Sequence, residues 1–226
     1  MKLQRCFAAL SMYLAATTAV PAGQSVERSE RWSAALAETQ SVLESGDAKR
    51  ARRMLAALLR DVLDTPRPSE ESDERLGQVL TQLALAEAGD GAAEDAIWHW
   101  HIAQNVDRSV AHSDLSRYGG SGATLLANVL APAPTKCAQP PGAPSSPTIR
   151  ERGEPKRPKA AVTAGLGGIV IVQVEVDANG RPVRPQVLLR PPGLLEYGAL
   201  EALREFRFNV TTDAGDVPVC MVFKFG

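Results

Sequence analysis

Excess charge of either sign is missing from this chain: 25 Lys and Arg stand against 26 Asp and Glu in 226 residues, a formal net charge of −1. Binding to phosphate backbones needs a basic face, so nucleic acid is not an expected partner. The one locally basic run, Arg150, Arg152, Lys156, Arg157 and Lys159, has Glu151 and Glu154 interleaved and reads as solvated linker. Long apolar runs are also missing beyond Ser25, where charge interrupts every Ala- and Leu-rich stretch well short of the ~20 residues that a membrane helix needs. Chemistry-bearing patterns are equally scarce. Of three histidines, His99 and His101 lie two apart in Trp98-His99-Trp100-His101, which on a helix aims them about 200° apart, too far to share a metal. His112 stands alone, and helical histidines of this kind are expected at a surface or boundary. No nucleophile elbow of the G-x-S-x-G type follows a strand, and Gly119-Gly120-Ser121-Gly122 lacks the Lys and flanking strand of a phosphate loop. The expectation is therefore no enzyme, no cofactor and no metal site.

What is present is enough apolar material for real cores. A composition of 44% hydrophobic and 23% charged residues fits a soluble globular protein, and the length allows two small domains. The first 22 residues read as an export signal: Lys2 and Arg5 precede an apolar run from Cys6 to Val20, and Val20-Pro21-Ala22 offers a cleavage site before Gly23. Cys6 opens the apolar run instead of following it, which argues against lipoprotein processing. The expected location is the periplasm, with retention of residues 7–20 as an inner-membrane anchor as the alternative.

Residues 25–130 carry helical periodicity. Trp32, Ala35, Leu36, Thr39, Val42 and Leu43 form one stripe, Ser45-Gly46-Asp47 breaks it, and Ala51, Met54, Leu55, Leu58, Leu59 and Val62 form the next. After Thr65-Pro66-Arg67-Pro68 the design returns with Leu76, Val79, Leu80, Leu83 and Ala84, a Gly89-Asp90 break, and Ala92, Ala96, Ile97, Trp100, Ile102, Ala103 and Val106. Two helical hairpins are expected. They resemble degenerate tetratricopeptide repeats, with a plain hairpin bundle as the alternative. Residues 113–130 supply a capping helix pair joined at Gly119-Gly120. From Ala131 to Lys159 the chain is rich in Pro and reads as an extended, semi-stiff linker.

Residues 160–226 change character. Val170, Val172, Val174 and Val176 alternate with Gln173 and Glu175, the run stops at Asp177-Ala178-Asn179-Gly180, and a second strand follows with Val183, Val187 and Leu189 in phase. Leu195, Ala199, Ala202, Leu203 and Phe206 then recur at helical spacing. A turn at Asp213-Ala214-Gly215-Asp216 leads into VPVCMVFKFG, where Val217, Val219, Met221, Phe223 and Phe225 alternate again. The fold class expected for the whole chain is α+β: an N-terminal helical hairpin domain, a Pro-rich linker and a C-terminal ββαβ unit with a three-stranded antiparallel sheet.

The Gly167-Gly168 lead, the "VDANG" turn, the "ALEALREFRF" helix ending in Phe206-Arg207-Phe208 and the "GDVPV" approach to the last strand together resemble the C-terminal domain of TonB-type energy transducers. The sequence departs from that pattern at Pro158-Lys159-Ala160, where a Tyr-Pro pair is usual, and at Asn209-Val210, where Pro-Ala is usual. The resemblance implies that the final strand lies at a sheet edge and accepts an extended segment of an envelope protein, such as an outer-membrane receptor. An open strand offers unpaired N–H and C=O groups for such addition. Pro218 removes one donor, which places the expected partner-binding edge at Val219, Cys220, Met221, Val222, Phe223, Lys224 and Phe225. The same edge suits a homodimer.

Removal of the signal leaves Cys137 and Cys220, an even count for an oxidising compartment, and a Cys137–Cys220 disulfide is expected, with two free thiols as the alternative. Three functional readings stay open at this point: a periplasmic adaptor, a divergent energy transducer anchored by its uncleaved N-terminus, and a peptidoglycan-associated structural protein.

Overall fold

A computed structural model describes residues 22–65, 70–142, 146–210 and 216–226. The proposed signal at 1–22 lies outside these except for Ala22, as do Pro66 to Ser69 and the expected turn at 213–215. Helices α1 (Ala22–Glu44), α2 (Ala48–Asp64), α3 (Glu70–Gly89) and α4 (Ala93–Val106) form two hairpins, followed by two single 3₁₀ turns and the short α5 (Gly119–Leu126). The C-terminal part adds β1 (Thr148–Glu151), α6 (Lys159–Thr163), β2 (Gly168–Val176), β3 (Pro182–Leu189), α7 (Leu195–Arg204), β4 (Arg207–Asn209) and β5 (Val217–Phe225).

The helical stripes become buried faces. Asp47 breaks α1 from α2 and caps α2 by accepting from the backbone N–H of Arg50 at 3.1 Å, and Ala51, Leu55, Leu58, Leu59 and Val62 then line the buried side. Against them lie Trp32, Leu36 and Val42 of α1 and Leu76, Val79, Leu80 and Leu83 of α3. Trp32 also donates its indole N–H to Asp61 across the hairpin at 2.6 Å. Gly119 and Gly120, expected to join two helices, instead begin α5. The chain before them makes 3₁₀ turns, with Asp107 and Asp114 each accepting from a backbone N–H two residues ahead.

The sheet runs in the order β3-β2-β5, antiparallel throughout, with α7 packed against β2 and β3. Val170, Val172, Val174 and Val176 of β2 are fully buried, as the alternation predicts. The hairpin turn works through Asp177, whose carboxylate accepts from the N–H groups of Asn179 and Arg181 at 2.8 Å each, and through Gly180 at φ +72°. A Cβ at Gly180 would stand 2.0 Å from the Phe208 carbonyl, so positive φ and close approach both demand glycine there.

The second strand departs from the simple alternation. Its register against β2 shifts between Ile171 and Val172 and again between Gln173 and Glu175, so Val183 lies opposite Glu175 while Val187 lies opposite Val172. Pro182 and Pro185 lack the N–H a regular ladder needs, and Arg184 takes φ +48° beside them. Val183 and Val187 end half-buried and Leu189 exposed, where a common buried phase was expected.

The Pro-rich stretch also holds structure. β1, inside it, pairs antiparallel with β4, and buried residues run as one cluster from Trp32 to Phe225. Glycine 153 explains part of that fit, since a Cβ there would meet the Ala202 carbonyl at 2.0 Å.

Candidate functional site

A three-stranded sheet has two edges, and here they differ. The outer edge of β3 is closed by α4: Asn105 donates its Nδ2 to the Pro185 carbonyl and accepts on Oδ1 from the Val187 N–H, both at 2.7 Å. Gln186 adds a hydrogen bond to the Ala131 carbonyl at 2.8 Å, and Arg190 one to the Val106 carbonyl at 3.0 Å. One amide side chain thus reproduces what a neighbouring strand would do, and β3 has little left to offer a partner.

The other edge is β5. Its pairing with β2 runs without a register break from Gly168↔Phe225 to Val176↔Val217, so backbone groups alternate strictly between β2 and the outside. The N–H of Cys220 points outward, because it donates to the Gln139 carbonyl at 3.0 Å. Two-residue alternation therefore turns the N–H groups of Val222 and Lys224 outward as well, and among the described residues neither meets an acceptor. Pro218 shares that side and has no donor.

The expected edge residues divide by face. Val219, Met221, Phe223 and Phe225 are buried against the core, with Phe223 edge-on to Phe206 at a centroid distance of 6.0 Å. Cys220, Val222 and Lys224 lie on the opposite face. Cys220 is covered by the stretch before β1: a disulfide joins it to Cys137, with Cα atoms 5.7 Å apart, and the Ala138 N–H donates to Gln173 Oε1 at 3.0 Å. Residues 137–139 therefore strap the first half of β5. The second half is bare, with Val222 56% exposed and Ile169 exposed beside Lys224 on the same face. A partner strand would find two outward donors and a small apolar patch there.

The helical part meets the sheet domain through α4, and the WHWH stretch lies at that junction. The boundary or surface placement expected for its histidines is incorrect: His99 is 7% and His101 3% exposed. Both are buried because α4 is enclosed by α3, α5, β3 and α7, leaving no solvent face. The signal was in the sequence, in the near absence of charge from Ala96 to Val106. His99 Nδ1 lies 2.6 Å from Glu87 of α3, and its Nε2 lies 3.8 Å from Glu201 of α7. Burial pulls the His99 pKa down, but the Glu87 hydrogen bond and the charges of Glu87 and Glu201 outweigh it and hold the pKa above the ordinary value, against opposition from Arg52. Arg52 of α2 reaches Glu87, Asp90 and Asp95, and Asp95 also binds Arg204 of α7. Four helices are thereby tied by one charge network. The residues around His101 form no metal cluster, and none is found among the described residues.

Glu196, 2% exposed in the first turn of α7, is the other buried charge. Burial pushes its pKa up to about 7 against the pull of a backbone hydrogen bond and of Arg190, whose Nη1 stands 3.6 Å away. A folded-state pKa above the unfolded value near 4.5 means that Glu196 favours folding at low pH, a contribution lost as pH rises through about 7. Glu196→Gln should therefore raise stability by about 2 kcal/mol at pH 8 and change it little at pH 4.5. Denaturant midpoints of the two proteins at both pH values check this, since every other titration cancels in the difference.

Together, an antiparallel sheet backed by one helix, one edge closed and the other half open, define a strand-accepting interaction domain. Residues 153–225 match the family model described as Gram-negative bacterial TonB protein C-terminal, so the C-terminal third of the chain is a TonB-type domain, a protein-interaction module of Gram-negative envelope transport. Comparison with curated proteins and with solved structures gave no match. Among the described residues no helix is long and apolar enough to cross a membrane.

Proposed function

We propose that this protein is a periplasmic adaptor of envelope transport, which adds an extended segment of a partner protein to the open half of β5, from Val222 to Phe225. The observation that carries the reading is the contrast between edges: Asn105 closes β3, whereas the outward N–H groups of Val222 and Lys224 have no acceptor among the described residues. Main-chain pairing to those donors would supply affinity, and Val222 with Ile169 would supply side-chain selection. In this reading residues 1–22 export the chain and are removed. The helical hairpins of residues 25–130, used in the manner of tetratricopeptide repeats, grip a second partner, residues 131–159 link the parts, and the domain from 160 to 226 takes the first.

N-terminal sequencing of the protein recovered from its native envelope tests the adaptor against an anchored energy transducer. A mature chain starting near Gly23 in the soluble periplasmic fraction supports the adaptor. An intact Met1 in the inner-membrane fraction overturns it.

A further inference from the structure

A second site lies where α4 meets the β2–β3 hairpin and β4, in a cavity of about 340 Å³. Trp98 and His101 line it from one face of α4, three residues apart. Both are more than nine-tenths buried, and Trp98 Nε1 and His101 Nδ1 have no hydrogen-bond partner. Buried polar atoms without partners are uncommon, and two on the wall of one cavity call for an occupant.

The chemistry of that occupant can be read from the walls. His101 Nε2 stands 3.1 Å from the Asn128 carbonyl, which can only accept, so Nε2 carries the proton and Nδ1 presents a lone pair. Burial, aided by Arg184 and only partly offset by the Asn128 hydrogen bond, pushes the His101 pKa down to about 4, so this neutral form holds at physiological pH. Trp98 donates and His101 accepts. A hydroxyl is the smallest group that satisfies both.

Four arginines complete the lining, and three already have carboxylates. Arg181 forms a two-pronged pair with Glu94 at 2.9 and 3.0 Å, Arg204 binds Asp95, and Arg184 binds Glu175 and Asp216. Arg207 differs. Its Nη1 donates to the carbonyls of Arg204 and Phe206 at 3.0 and 2.6 Å, and among the described residues it meets no carboxylate. Its fork is held in place by the backbone while Nε and Nη2 stay uncommitted, the arrangement that suits a carboxylate ligand.

We infer that this cavity binds a small hydroxy acid, its carboxylate on Arg207 and its hydroxyl between Trp98 and His101. The size falls at the small end of ligand pockets. Because the walls come from both the helical part and the sheet domain, the ligand would brace one against the other and raise the melting temperature by mass action.

The test titrates the full chain with L-malate, citrate and lactate, and with succinate as the control without a hydroxyl, reading tryptophan fluorescence and melting temperature. Saturable binding of at least one hydroxy acid is expected, with succinate at least about tenfold weaker than malate. Arg207→Gln and Trp98→Phe should each weaken binding by about tenfold or more, the second keeping the aromatic volume and hence the fold, as circular dichroism would verify. Three results would overturn the inference: no saturation by any hydroxy acid up to about 10 mM, equal binding of succinate and malate, or unchanged affinity in a folded Trp98→Phe protein. A water molecule alone bridging Trp98 and His101 would give the first of these.

Discussion

Reduction of the Cys137–Cys220 disulfide will lower the stability of the fold by up to about 4.5 kcal/mol, the largest effect expected of any single bond in the chain. The bridge spans 83 residues, and closing a loop of that length removes roughly this much free energy from the unfolded state in the chain-entropy account. The bond also holds the strap. Without it the hydrogen bonds from Cys220 to Gln139 and from Ala138 to Gln173 must hold residues 137–139 alone, at about 1 kcal/mol each. The β5 edge would then present a third outward donor, that of Cys220, so reduction should weaken the fold and lengthen the accepting edge together. Denaturant curves with and without reductant measure the first effect, and amide hydrogen exchange at Cys220 the second. A Cys137→Ala, Cys220→Ala protein should show the lower midpoint and ignore reductant. Coincident curves for the oxidised and reduced wild type would contradict the assignment.

His99→Leu should cost about 3–5 kcal/mol at pH 6, comparable to losing the disulfide. The substitution leaves Glu87, buried, and Glu201, largely enclosed, without the cation between them, and Arg52 reaches only Glu87. The pH dependence has a fixed sign. His99 has a folded-state pKa above 6.5, so its contribution is complete below pH 6.5 and is lost as pH rises through the elevated value. The gap between wild type and His99→Leu should therefore narrow from pH 6 to pH 9. Adding Glu87→Gln to His99→Leu should recover part of the loss, because the stranded charge is removed. A constant gap across that range would mean that His99 acts by packing alone.

Much of this fold is legible in the sequence wherever one face is buried and the other wet. The four valines of β2, the Asp177 to Gly180 turn, the stripe of α7 and both helix breaks at Gly46 and Gly89 follow from local periodicity and turn chemistry. The errors come where tertiary contact overrides the local pattern. Prolines at 182 and 185 force the β3 bulges, and the backbone groups freed there are taken by Asn105, some 80 residues earlier in the chain. β1 and β4 are too short for periodicity to reveal them, and they exist because they pair with each other. The histidines of α4 looked peripheral because each was judged alone, whereas Glu87 and Glu201 come from two other helices. For the edge, the alternation of β5 was readable. The closure of its first half by residues 137–139 was not, since a Pro-rich segment carries no pattern that says where it will lie.

The central claim is that the second half of β5 receives a partner strand, and site-specific photocross-linking in intact cells tests it most directly. A photoreactive residue at Val222, on the open half, should give a discrete adduct with an envelope protein, mapped to an extended segment of that partner. Lys224→Pro, which removes one outward donor without touching the buried face, should abolish the adduct, while the same probe at the exposed Lys49 of α2 should not report it. An adduct at Val222 that survives Lys224→Pro, or no adduct at Val222 at all, would contradict strand addition at this edge.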